Sequence, residues 1–137
     1  MTRSKSDYES VMQIMASSSY HRSYSDEDIQ ALIDQPLAQG RYILFYDDEK
    51  PCVFATWAFP EQSHIDEYLE TRRFPSSAFQ ANGPAPWIVD FIALGGKRNV
   101  MKGFRHLKDM FQKMGYIDCH WLRTETHKVG FHKLKEA

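Results

Sequence analysis

Trp87-Ile88-Val89-Asp90-Phe91-Ile92-Ala93-Leu94 is apolar at seven of its eight positions, the pattern of a strand covered on both faces. Alternation puts Ile88, Asp90, Ile92 and Leu94 on one face and Trp87, Val89, Phe91 and Ala93 on the other. Asp90 is the exception in the run. An ionised carboxylate there costs roughly several kcal/mol unless something compensates it. Two uses fit such a residue: it orients or charges a neighbouring group, or it is a structural pin bonded to Trp, Tyr or Arg side chains. The candidate neighbour is His21, in the polar stretch Ala16-Ser17-Ser18-Ser19-Tyr20-His21-Arg22.

Downstream, Gly95-Gly96 ends the strand, and Val100, Met101, Phe104, Leu107, Lys108 and Phe111 trace the helix that follows, closed by Gly115. Residues 116–123 then alternate as another strand. A strand–helix–strand passage of this kind calls for a right-handed parallel crossover. A polar turn at 124–128 leads to a final element around 129–134.

Upstream, 41–46 and 52–59 are rich in aromatic and branched residues and flank the polar turn Asp47-Asp48-Glu49-Lys50-Pro51, which predicts an antiparallel hairpin. Tyr8, Val11, Met12 and Met15 predict a short amphipathic helix over 7–16. Ser25-Asp26-Glu27-Asp28 is a capping-box pattern opening a helix that runs to Asp34, with Ile29, Leu32 and Ile33 inward and Pro36 as its end. A charged surface helix is expected over 63–73 and a proline-rich loop over 75–86. The expected fold is α/β: a mixed, mostly antiparallel central sheet flanked by helices, in a single domain spanning 1–137.

With 42 % hydrophobic and 26 % charged residues the composition is that of a globular protein, and a net charge of −1 argues against a dedicated nucleic-acid binder. No stretch approaches the length needed to span a bilayer. Met1 to Asp7 lead into no apolar signal region, so the expected location is cytoplasmic. Cys52 and Cys119 lie far apart in apolar contexts without a C-x-x-C pair and are read as buried thiols. No metal is expected: His64, His106, His120, His127 and His132 lack metal-ligand spacing.

A neutral imidazole accepts a proton near neutral pH, and a carboxylate beside it fixes its tautomer and raises its basicity. His21 and Asp90 therefore form a candidate acid–base pair, although a loop histidine is as readily a surface residue. Ser18 offers a hydroxyl to a substrate or to its own turn. Gly95, Gly96, Lys97 and Arg98 lie between strand and helix, where free amides can hold a phosphate. They match neither G-x-G-x-x-G nor a Walker loop. Lys97, Arg98, Lys102, Arg105 and Lys108 make this the most basic segment, suited to an acidic partner or simply to solvent.

Three elements in order, Ala16-Ser17-Ser18-Ser19-Tyr20-His21-Arg22, the hairpin from Tyr42 to Ala58 with its Trp57-Ala58 pair, and Trp87-Ile88-Val89-Asp90-Phe91-Ile92-Ala93, resemble the toxin-activating lysine acyltransferases, which activate hemolysin-type RTX toxins. The resemblance runs from about Met15 to Arg123. It implies an N-acetyltransferase-like fold and transfer of a fatty acyl group from acyl carrier protein (acyl-ACP) to an internal lysine of a protoxin-like acceptor. It also implies that His21, Asp90 and Ser18 are the family's catalytic positions. No cofactor is expected to be permanently bound, the donor site is expected at Gly95, Gly96, Lys97 and Arg98, and acyl-CoA is the alternative donor. A homodimer stays open. The competing classes are an acetyl-CoA-dependent N-acetyltransferase and a non-enzymatic binding module.

Overall fold

In a computed structural model, which describes residues 5–18, 21–123 and 128–133, the apolar run around Asp90 becomes strand β3 (Trp87–Ala93). The sheet has the order β1-β2-β3-β4-β5, with β1 at Tyr42–Asp47, β2 at Lys50–Ala58, β4 at Asp118–Arg123 and β5 at Lys128–Lys133. Strand β1 runs antiparallel to β2, β3 parallel to β4, and β4 antiparallel to β5. Leu94 N–H donates to the Cys52 carbonyl at 2.8 Å and Asp90 N–H to Thr56 Oγ1 at 3.2 Å. Residue numbers that rise on β3 while they fall on β2 mark that pair as antiparallel too. The fold is thus mixed α/β, a mostly antiparallel sheet with flanking helices, as the hydropathy pattern predicts. The expected turn at 124–127, Ser19, Tyr20 and Leu134 lie outside the described residues.

The chain divides into two compact units, Met1–Thr56 with Asp90–Phe104, and Trp57–Val89 with Arg105–Ala137. In the first, helix α1 (Lys5–Ala16) and helix α3 (Gln35–Gln39) bury Val11, Ile14, Met15 and Leu37 together with Ile33, Phe54 of β2 and Ile92 of β3. Ile92 shares a sheet face with Asp90, as alternation requires. Phe91 points the other way, toward Phe104 of helix α5 (Lys97–Lys113), with ring centroids 6.4 Å apart. A Cβ on Gly103 would come within 2.8 Å of Val53 Cγ1 and 3.1 Å of the Phe91 ring, so this mid-helix glycine lets α5 lie close on β2 and β3. The inward face of α5 accordingly passes through Gly103, Leu107 and Phe111. Val100 and Met101 lie within the helix as expected, on its exposed side.

Two further expectations change. Pro36 does not end its helix: helix α2 (Asp26–Ile29) opens on the Ser25 capping box, widens into a π turn at Gln30–Asp34 and continues as α3. A proline ring collides with the carbonyl four residues back in a regular α-helix, and the wider turn just before Pro36 relieves that collision. The rod ends at Gly40, whose φ of 73° permits the left-handed cap. The hairpin turn is also tighter than expected, since Asp47 pairs with Lys50 around Asp48 and Glu49 alone, at φ of 48° and 68°. Pro51, without an N–H, sits opposite Tyr46 where the register shifts.

In the second unit, Trp57 packs edge-on to Phe111 and Trp87 stacks on His120 at 4.5 Å between centroids. Helix α4 (Gln62–Thr71) buries Tyr68, and the 75–86 segment carries a 3₁₀ turn at Ser76–Gln80. Gly115, at φ of 96°, follows the last turn of α5 as expected. Both cysteines are free and buried.

Burial pushes the Cys119 thiol up to about 11, and burial likewise raises Cys52, the nearby Asp47 carboxylate adding to the effect. Since only the thiolate attacks electrophiles, iodoacetamide at pH 8 should alkylate Cys119 in the native protein far more slowly than in urea. Mass mapping of time points checks this, and equal native and unfolded rates would contradict the burial of that thiol.

Candidate active site

Four residues of helix α1 and the turn after it set the position of His21. Ser17 N–H and Ser18 N–H close the last turn of α1 onto the carbonyls of Ile14 and Met15, each at 3.1 Å. Arg22 N–H then donates to the Ser18 carbonyl at 2.9 Å, and His21 begins a single 3₁₀ turn, His21–Ser23. This compact geometry turns the imidazole inward. It is only 5 % exposed, so the surface-histidine alternative falls away.

The imidazole meets Asp90, 69 positions along the chain. His21 Nε2 lies 2.9 Å from Asp90 Oδ1, and Asp90 is 1 % exposed. An ionised carboxylate only accepts hydrogen bonds, so in the neutral imidazole Nε2 is the protonated nitrogen and Nδ1 carries the lone pair. Ser18 Oγ lies 2.7 Å from that Nδ1 and donates to it, while His21's own N–H points back at Ser18 Oγ at 3.4 Å. A serine hydroxyl, an imidazole and a buried carboxylate are therefore joined in one hydrogen-bonded line. Such a line can pass a proton from a group at the Ser18 end onto Nδ1 while the carboxylate stabilises the resulting imidazolium.

Asp90 has partners that the sequence does not name. Tyr24, three residues beyond His21, donates its hydroxyl to Oδ1 at 2.6 Å. Thr56, fully buried on β2, accepts from the Asp90 backbone N–H. Both alternatives for the carboxylate are thus realised at once, since it meets His21 and is pinned by a tyrosine. Alternation identifies the face of β3 that Asp90 occupies, but no periodicity points to Tyr24, which follows a 3₁₀ turn. Asp90 Oδ2 is buried without a hydrogen-bond partner among the described residues.

The expected donor loop stands at the far end of β3. Gly95 and Gly96 take φ of 88° and 95°, conformations that suit glycine, and hand the chain into the amino terminus of α5. Asn99 closes the loop by donating its side-chain amide to the Leu94 carbonyl. A pocket of about 470 Å³ opens beside it, lined by Gly95, Arg98 and Lys102 with Tyr46 and Asp47 of β1 and Cys52 of β2. Gly95 and Arg98 thus line a cavity. Lys97 and Gly96 are exposed and are not among its lining residues. Among the described residues no three histidine, cysteine or acidic side chains gather as a metal-ligand set.

The protein-family model described as the RTX toxin acyltransferase family matches residues 7–133, most of the chain. No curated protein matches it.

Removing the imidazole leaves the buried carboxylate with one side-chain donor fewer, whereas removing both groups leaves no buried charge to satisfy. His21→Ala should therefore destabilise the protein by about 2 kcal/mol, and His21→Ala/Asp90→Ala by less than the sum of the single losses. Urea unfolding of the four proteins measures the coupling, which would be near zero if the contact were incidental.

Proposed function

The chain belongs to the RTX toxin acyltransferase family, and we propose that it moves a fatty acyl group from acyl carrier protein to an internal lysine of a toxin-like acceptor. The observation that carries this reading is the Ser18–His21–Asp90 line, with contacts of 2.7 Å and 2.9 Å. The enzyme is an acyltransferase, and its chemistry poses a defined problem. A free lysine amine has a pKa of about 10.4 and is mostly protonated, hence non-nucleophilic, at neutral pH. A thioester is already activated, so the chemical need is a base for the amine.

In this reading the acceptor ammonium first releases one proton to solvent, and the neutral amine then approaches the Ser18 side of His21 and gives a second proton to Nδ1, directly or through the Ser18 hydroxyl, as its nitrogen attacks. The amine nitrogen bonds to the thioester carbonyl carbon, and the carbon–sulfur bond of the tetrahedral intermediate then breaks. The carrier leaves as a thiol, taking the proton back from His21, and the lysine is left as an amide. Asp90 fixes the Nε2–H tautomer and balances the transient imidazolium charge.

The donor would enter over the Gly95-Gly96 turn. From Asp90 to Gly95 an extended chain covers about 16 Å, a distance that a flexible prosthetic arm can bridge while its carrier stays outside. Arg98 and Lys102, one helical turn apart on α5 and both beside the pocket, suit an acidic carrier. Arg105 extends the same basic helix.

His21→Ala and Asp90→Ala should each lower acyl transfer by about two to four orders of magnitude. Intact-mass analysis of a co-expressed acceptor reads this as loss of a fatty-acid-sized gain on lysine. Near-wild-type transfer in either folded variant removes the assignment. Charge reversal of Arg98, Lys102 and Arg105 should weaken carrier binding at low salt and matter less at high salt. Calorimetric titration with acyl carrier protein at two salt concentrations checks this, and unchanged affinity at low salt rejects the docking surface.

A further inference from the structure

We propose that Tyr24 is a positioning residue of the acyl-transfer site, whose hydroxyl holds the orientation of the Asp90 carboxylate and sets how much charge its oxygen presents to His21. The inference rests on the reading of His21 as the base. Its starting point is an imbalance at the carboxylate. Tyr24 Oη donates to Oδ1 at 2.6 Å and His21 Nε2 meets the same Oδ1 at 2.9 Å, while Oδ2 is buried with no partner among the described residues. A partial rotation of the carboxylate about its Cβ–Cγ bond would carry Oδ1 away from both donors. Two donors converging on Oδ1 from different residues hold it against that rotation.

Tyr24 is itself held by the turn it helps to organise. Its backbone N–H donates to the His21 carbonyl at 3.1 Å, and its ring leans on the imidazole with centroids 5.1 Å apart. The ring also packs, partly buried, against the cluster containing Val11, Ile14 and Ile33. Hydroxyl and imidazole therefore reach Asp90 as one preassembled unit. Among the described residues, the titratable groups bonded to the carboxylate are His21 and Tyr24 from this turn, and β2 offers the neutral Thr56 to the Asp90 backbone.

A charge-assisted hydrogen bond from Tyr24 draws negative charge away from Oδ1. Without it, Oδ1 attracts the imidazolium more strongly, and His21 keeps its proton to higher pH. Deleting the hydroxyl should thus loosen the aim of the base and leave less of it unprotonated at neutral pH.

The test is Tyr24→Phe, which keeps the ring, read in the full chain by two measurements. At neutral pH, kcat for acyl transfer should fall about tenfold, as expected for loss of one hydrogen bond to a charged group, with KM for the acyl carrier unchanged. The acidic limb of the kcat/KM profile should move to higher pH. In substrate-free protein, ¹⁵N-histidine NMR should show the His21 titration moving the same way. In an Asp90→Asn background, Tyr24→Phe should no longer move that titration.

An unmoved His21 titration in Tyr24→Phe overturns the proposal, whether or not activity and melting temperature fall, because packing alone would then account for the loss. An unmoved titration with unchanged kcat overturns it as well. A moved titration in a protein that transfers no acyl group supports the positioning role and rejects the acyltransferase mechanism instead.

Discussion

A carboxylate sealed in the middle of a sheet constrains everything around it. Asp90 sits on β3 between Ile88 and Ile92, both nearly fully buried, and water does not reach it. Its charge must be met by the protein's own donors. They come from the short segment after α1, where the chain leaves the helix at Ser18 and turns within three residues into His21. The serine, the imidazole and the phenol follow from that one requirement, as does the placement of α1 on the same sheet face. In the proposed function, the imidazole that serves as the base is also one of the donors that stabilise the buried charge.

That identity bears on how firmly the apparatus is held. A hydrogen bond on each ring nitrogen of His21 fixes both the tautomer and the plane of the ring. Under the proposed function, preorganisation of this kind would leave little rearrangement for proton transfer. Asp90 Oδ2, without a partner among the described residues, is the counterpart of the arrangement, since the Tyr24 and His21 donors both meet its twin.

Much of this was legible in the amino-acid order. The apolar run with one acid specified a covered strand and the face Asp90 would occupy, and the polar loop with one histidine named its partner. The hairpin, the capping box at Ser25 and the crossover from β3 through α5 to β4 follow from local pattern and turn chemistry, and the structure contains each of them. The differences have local physical causes. A proline signals the end of a helix because it usually is one, and nothing in the composition shows that a π turn before Pro36 will absorb it. The apolar residues of α5 mark the helix, but nothing in them shows the close approach made at Gly103, whose contribution is the absence of a side chain. Tyr24 escaped notice because an irregular turn has no period from which to infer direction.

Gly103 also bears on how α5 can move. Pressed against Val53 and Phe91 with no side chain between, the helix has a fixed fulcrum in its second turn. Sliding along the sheet would drive backbone into a branched side chain and an aromatic ring. The freedom left to its amino-terminal end is therefore angular, a small tilt about that fulcrum, with Gly95-Gly96 as the flexible joint. Arg98 and Lys102, close to the fulcrum, would swing through short arcs, so the cationic wall beside the pocket is a stiff one that an incoming anion must fit rather than reshape.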